Sequence, residues 1–178
     1  MTTAETFRQR LRHCPSGAAG WKEFEEVCRE ILEYLFCPPL DRAKPRPSQH
    51  GGIDRHDVAF PNWVRAMDNP WGRVYERLRA YLVVASFKNY DQDDLNGGEV
   101  DHAGGLLNAH MGNLALLVTR ETPGDAARSA RNTIFDNSGK VVLFLTSDQL
   151  LEMLYRKERG DEPGVLITDL LDVFYLQC

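Results

Sequence analysis

The sequence has none of the marks of a membrane-spanning or secreted chain. No apolar run approaches the roughly 20 residues that cross a bilayer, which predicts a protein with no membrane association. The stretch Met1 to Arg8 holds no apolar segment of a secretion signal, so a cytoplasmic location is expected. Cysteine is sparse. Cys14, Cys28, Cys37 and Cys178 include no CxxC pair, which argues against a zinc knuckle and for reduced thiols. An excess of basic charge is also missing. The chain has 21 Lys and Arg against 26 Asp and Glu, a formal net charge of -5. Proteins that coat nucleic acid by bulk charge are basic, so the net charge weighs against that mode. A local basic groove, or an acidic site bridged to phosphate by a divalent metal, stays compatible. There is no internal repeat, no low-complexity tract, and no phosphate-loop or dinucleotide pattern around Gly51-Gly52 or Gly97-Gly98.

What is present is ordinary globular material. The chain has 178 residues, 43% hydrophobic and 26% charged, which predicts one domain over 1–178 with a sizeable core. A first helix is expected from Ala4 to Arg12, broken by Pro15 to Gly20. Trp21 to Phe36 reads as an amphipathic helix, with Phe24, Val27, Cys28, Ile31, Leu32 and Leu35 at helical spacing. Cys37-Pro38-Pro39 ends it, and Leu40 to Gly52 reads as a loop. Ile53 to Phe60 reads as a strand turned by Pro61-Asn62, and Pro70 to Arg79 as a short helix. Tyr81 to Ala85 is apolar throughout and reads as a central strand ending in Ser86-Phe87-Lys88-Asn89-Tyr90.

The rest alternates. A helix over Glu99–His110 is followed by a strand over Leu114–Thr119 and a helix over Gly124–Asp136. A strand over Lys140–Thr146 precedes a helix over Ser147–Arg159 with Ser147 as its N-cap, and a last helix over Pro163–Tyr175. This alternation predicts an α/β protein with helices on both faces of the sheet, and strands at 114 and 140 beside the one at 81.

Chemistry concentrates where the apolar strand ends. Side chains two apart on a strand share a face, so Ser86 and Lys88 point together and Phe87 points away. Asp57 lies in the preceding strand and approaches Lys88 if the two strands are neighbours. A carboxylate holds a hard divalent cation, and an adjacent lysine orients water or offsets phosphate charge. Together they are the minimum set for metal-assisted phosphodiester hydrolysis.

The order Phe24-Glu25 on an early helix, Gly51 to Phe60 on a strand, then Val83-Val84-Ala85-Ser86-Phe87-Lys88-Asn89-Tyr90, resembles the PD-(D/E)xK superfamily of restriction-endonuclease-like nucleases, and its Mrr-like branch in particular. The resemblance covers residues 20 to 160. It implies a restriction-endonuclease-like three-layer fold with a mixed central sheet. It further implies a DNA endonuclease that needs Mg²⁺ or Mn²⁺, acts in bacterial defence against foreign DNA, and works as a homodimer or a subunit of a larger complex. Position by position, Asp57 matches the metal-binding aspartate, with Asp54 as the alternative. Lys88 matches the catalytic lysine, and Glu25 a helix glutamate that assists the metal.

The sequence departs from that pattern at Ser86, where the family carries Asp or Glu. Three readings stay open. The carboxylate has moved to another element, with Glu25 or Glu99 nearest. One weakly held metal uses Ser86 as a minor ligand or water positioner. Or the site is degenerate and the fold binds DNA or a partner protein without cutting. For phosphate contacts the candidates are Arg42, Lys44, Arg46 and Arg55, with Arg65 nearby and Arg128 and Arg131 on one helix face. Competing structural readings pair Asp57 with Arg55 or Arg73, and place Glu99 at its helix N-terminus for the dipole alone. Asp91, Asp93 and Asp94 read as a solvated loop, and His50 and His56 as structural groups.

Overall fold

The computed structural model describes residues 2–45, 57–90 and 95–178. Seven α-helices and five strands are assigned among them. The helices are α1 (Thr3–His13), α2 (Trp21–Phe36), α3 (Pro70–Leu78), α4 (Gly97–Gly105), α5 (Asp125–Ser138), α6 (Ser147–Glu158) and α7 (Gly164–Gln177). The strands are β1 (Lys44–Pro45), β2 (Val58–Pro61), β3 (Leu82–Lys88), β4 (Leu114–Thr119) and β5 (Val141–Thr146).

The sheet runs in the order β1-β2-β3-β4-β5. β1, β2 and β3 pair antiparallel, while β3, β4 and β5 pair parallel, so the sheet is mixed. β2 and β3 are neighbours, as the short link between them suggests. β4 lies beside β3 as expected, but β5 pairs with β4 and is one strand removed from β3.

Strand alternation sorts the apolar side chains into two layers. Val83, Ala85, Leu114, Leu116, Val118, Val141, Leu143 and Leu145 face one side, in a core shared with α1, α2, α3, α6 and α7. Val84, Ala115, Leu117 and Val142 face the other side, against Val100 and Ala103 of α4 and Ala127 of α5. The fold is therefore a three-layer α/β arrangement. Burying both faces of β4 explains its unbroken apolar run, which periodicity alone reads as a core strand.

Local chemistry sets the ends of the elements. Asn69 accepts from the Trp71 amide and Pro70 opens α3, where a missing N–H costs nothing. Asn96 caps α4 by accepting from the Glu99 amide at 3.2 Å, so the helix starts at Gly97 and ends at Gly105, five residues before His110. At α6 the cap is Thr146, not Ser147. The Thr146 hydroxyl accepts from the Gln149 amide, and the Thr146 amide donates to Gln149 Oε1, a reciprocal capping box. Gly112 holds φ 96° and packs where a Cβ would lie 2.0 Å from the Arg79 carbonyl oxygen, so only glycine fits that turn.

Three further expectations change. Residues 40–45 are not all loop, because Lys44 and Pro45 pair with Ala59 and Val58 as an edge strand. Pro61 belongs to β2, where it pairs with Leu82. β3 does not stop at Ala85 but continues through Lys88, paired with Thr119. No described helix is long and apolar enough to cross a membrane.

Candidate active site

β2 and β3 position the acid, the hydroxyl and the lysine. Their register pairs Val58 with Ala85 and Ala59 with Val84. One step further along that register brings Asp57 across from Ser86. Residues paired across antiparallel strands point to the same face. Ser86 and Lys88 share the face of Val84, which is the face covered by α4. Asp57, Ser86 and Lys88 thus stand together where the apolar floor of that layer turns polar. Asp57 is 8% exposed and Ser86 is 1% exposed.

α4 closes over this patch with two contacts. Glu99 Oε2 meets Lys88 Nζ at 2.6 Å, with side-chain exposures of 16% and 11%. His102 Nε2 meets Asp57 Oδ2 at 3.0 Å. Glu99 and His102 are three apart, so both leave one face of the helix. Among the described residues Asp57 is therefore partnered by His102 and not by Arg73, while Arg55 lies outside them. Glu99 does sit in the first helical turn, where the dipole favours an acid, and it also holds the lysine.

The residue after the lysine has a different duty. Asn89 is 6% exposed. Its amide donates to the carbonyls of Pro15 at 2.8 Å and Gly17 at 3.0 Å, and its own carbonyl accepts from the Gly17 amide. Arg120, just past β4, donates to Asn89 Oδ1 and to the carbonyls of Cys14 and Pro15. This network pins the end of β3 to the turn before α2, and so fixes the lysine's base.

Glu25 stands half-buried on α2, the helix whose Phe24, Val27, Cys28 and Ile31 pack in the core on the opposite sheet face. Lys44 is exposed on β1, and its pairing with Ala59 puts it on the same face as Asp57. Arg42 is exposed beside it. Arg46 and Arg55 lie outside the described residues, as do Asp54, His50, His56, Asp91, Asp93 and Asp94. Arg65 stacks its guanidinium 3.5 Å over the Tyr75 ring. Arg131 does not join Arg128 on the surface. It is 7% exposed, with its guanidinium over Phe144 and Phe174, and burial lowers its pKa.

Thiol chemistry has no foothold. Burial raises the pKa of Cys14, Cys28 and Cys178, and pushes Cys37 up to about 11, so none is an activated thiolate. Among the described residues no three His, Cys, Asp or Glu side chains converge as a metal cage. The donors at hand are the two carboxylates of Asp57 and Glu99 and the hydroxyl of Ser86. Mg²⁺ is commonly bound through one or two carboxylates with water and substrate oxygens completing its shell, so this set suits a hard divalent ion.

His102 is the residue sequence reasoning misses. Its contact spans 45 positions and needs α4 folded over β2. The signal within reach was its spacing from Glu99, one turn on.

No family model matches the chain, and no solved structure matches it. A curated relative is the putative transposon gamma-delta 80.3 kDa protein of Escherichia coli (strain K12), 24% identical over 170 residues. The match covers 89% of this chain and 24% of that protein, so the chain spans about a quarter of the relative's length.

Proposed function

We propose that this chain is a divalent-metal-dependent DNA endonuclease of the PD-(D/E)xK type, with the strand carboxylate missing at Ser86 replaced by Glu99. The observation that carries this reading is the meeting of Asp57, Ser86 and Lys88 on one sheet face, with Glu99 brought to 2.6 Å from the lysine. The layout of strands and helices is also in keeping with that superfamily.

Asp57 and Glu99 are the residues that would hold Mg²⁺ or Mn²⁺. A bound ion of this class lowers the pKa of a coordinated water and offsets charge on a phosphate. Lys88 supplies N–H donors that orient the attacking water and stabilise negative charge developing on the phosphate oxygens. Its pairing with Glu99 keeps the ammonium beside the carboxylate instead of extended into water. The Ser86 hydroxyl is a weak ligand or a water positioner. Lys44, on the same sheet face, and the exposed Arg42 meet the phosphate backbone. The relative is named for a transposon, and that setting is in keeping with a nucleic-acid substrate. A cytoplasmic role in defence against foreign DNA, as a homodimer or within a larger complex, completes the proposal.

The test is cleavage of supercoiled plasmid with Mg²⁺ or Mn²⁺. The parent should nick or linearise it, and Lys88→Ala should lose that activity while keeping its circular dichroism spectrum. Equal cleavage by the two proteins would remove Lys88 from the reaction.

A second reading has its own supporting observation. Both acids of the patch already meet a cationic or imidazole side chain, Glu99 with Lys88 and Asp57 with His102. A degenerate nuclease fold that binds DNA or a partner protein would look the same. Calorimetry with Mn²⁺ separates the two, since the enzyme binds the ion and the degenerate module does not.

A further inference from the structure

The nuclease reading assigns a task to Asp57, Glu99 and Lys88, and none to the imidazole that touches Asp57. Strands β2 and β3 contain no Asp or Glu of their own, so among the described residues Asp57, immediately before β2, is the sheet's acid at this patch. Its cross-strand neighbour Ser86 is neutral and offers a cation at most a weak hydroxyl ligand. The orientation of one carboxylate then matters more than it would in a two-acid strand pair. A carboxylate can rotate about its last torsion, which is broad and weakly restricted. An N–H donated to one of its oxygens fixes that torsion and leaves the other oxygen for a ligand. His102 is placed to do this, with Nε2 at 3.0 Å from Oδ2 and the imidazole 27% exposed.

We propose that His102 is a positioning residue, donating from Nε2 to Asp57 Oδ2 and setting the orientation in which Asp57 receives a divalent cation. This rests on the metal-dependent reading above. The neutral Nε2–H tautomer and the imidazolium both donate at that nitrogen, so the role needs no change of protonation. Because Glu99 and His102 leave one face of α4, the same helix aligns both carboxylates of the site, one directly and one through the imidazole.

The probe is Mn²⁺, titrated into the full chain by calorimetry and followed by electron paramagnetic resonance. Two variants divide the possibilities. His102→Leu has similar bulk and no donor, while His102→Gln places an amide N–H near the position of Nε2. Outer-shell partners of metal ligands are worth about 10–100-fold in affinity, so His102→Leu should weaken Mn²⁺ binding by that amount and His102→Gln should recover it to within about threefold. Unchanged circular dichroism identifies the effect as local. If the Leu variant does not fold, His102→Ala is read in its place. Bound Mn²⁺ in the parent should show no hyperfine coupling to an imidazole nitrogen. Parent-like binding by His102→Leu overturns the proposal, and so does binding by the Gln variant as weak as that of the Leu variant. Imidazole coupling overturns it too, because His102 would then be a ligand. In each of those cases the parent still binds Mn²⁺ and the nuclease reading stands. A parent that binds no Mn²⁺ removes both.

Discussion

Glu99 and Lys88 form an ion pair of 2.6 Å that ties the first turn of α4 to the last residue of β3. Glu99 occupies the third position after the Asn96 cap, where a glutamate commonly folds back onto the cap's own amide. Here its carboxylate extends to the lysine instead. Two positive ends then favour its charge, the helix N-terminus and the ammonium. Both side chains are mostly withdrawn from water, which makes the pair more than a screened surface contact.

The pair should therefore show coupling in a double-mutant cycle. Lys88→Met, Glu99→Gln and the double variant, unfolded by denaturant, should give an interaction free energy of about 0.5–3 kcal/mol. Additive single effects would mean that the two charges are separately solvated, and that α4 is held over the patch by its apolar contacts alone.

The proposed replacement of the strand acid by Glu99 makes its own prediction. Glu99→Gln should weaken Mn²⁺ binding by at least about tenfold, the lower end of what even outer-shell partners are worth. Ser86→Glu in that background should recover part of the loss, because it restores an acid on the strand across from Asp57. Recovery will be incomplete, since Ser86 is 1% exposed and a longer charged side chain must be desolvated there. If Glu99→Gln binds Mn²⁺ as tightly as the parent, the carboxylate has not moved to α4.

The outcome of these substitutions bears on what a sequence can reveal. Alternation by twos put Ser86 and Lys88 on one face, and the short connection from β2 to β3 brought Asp57 beside them, so three members of the patch were legible. Continuous apolar runs located β4 from end to end and β5 to within one residue. Glu99 was legible only as one of two possible homes for a displaced acid. His102 was not, because its partner lies 45 residues away and no local pattern records that contact. β1 was missed for a different reason: two residues that include Pro45 show no alternation to read. Arg131 misled because helical spacing from Arg128 predicts a shared face, whereas the packing of Phe144 and Phe174 against its guanidinium decides its exposure.

Asn89 should matter for stability rather than for chemistry. Its amide satisfies two carbonyls of the turn before α2, and its Oδ1 accepts from Arg120. Asn89→Ala removes these three part-buried hydrogen bonds, but the Pro15 carbonyl keeps Arg120 and the Gly17 carbonyl keeps the Gly20 amide, so the loss should be the net value of a typical hydrogen bond, about 0.5–1.5 kcal/mol. Chemical denaturation should show that loss as a lower midpoint with an unchanged slope. A shift within error would mean that water replaces the side chain at no cost.

Acid should loosen the seam between α1 and α6. Arg8, 5% exposed, donates to Glu5 in its own helix and to Glu158 at the end of α6, and its guanidinium lies 4.4 Å from the Tyr155 ring centre. Hydrogen bonding from Arg8 is the main cause that holds both carboxyls below their ordinary value of 4.5. A carboxyl with a folded pKa below its unfolded one stabilises the fold at pH above the unfolded value, and that contribution disappears as pH falls through the folded one. Thermal midpoints of the parent should accordingly drop on going from about pH 6 to about pH 3, beyond whatever the other acids contribute. Arg8→Met keeps aliphatic bulk against Tyr155 but removes the donors, so Glu5 and Glu158 should titrate nearer 4.5 in both states. The acid-induced drop should be smaller in that variant than in the parent. An equal drop would show that the seam is held by packing and that its ion pairs contribute nothing at either pH.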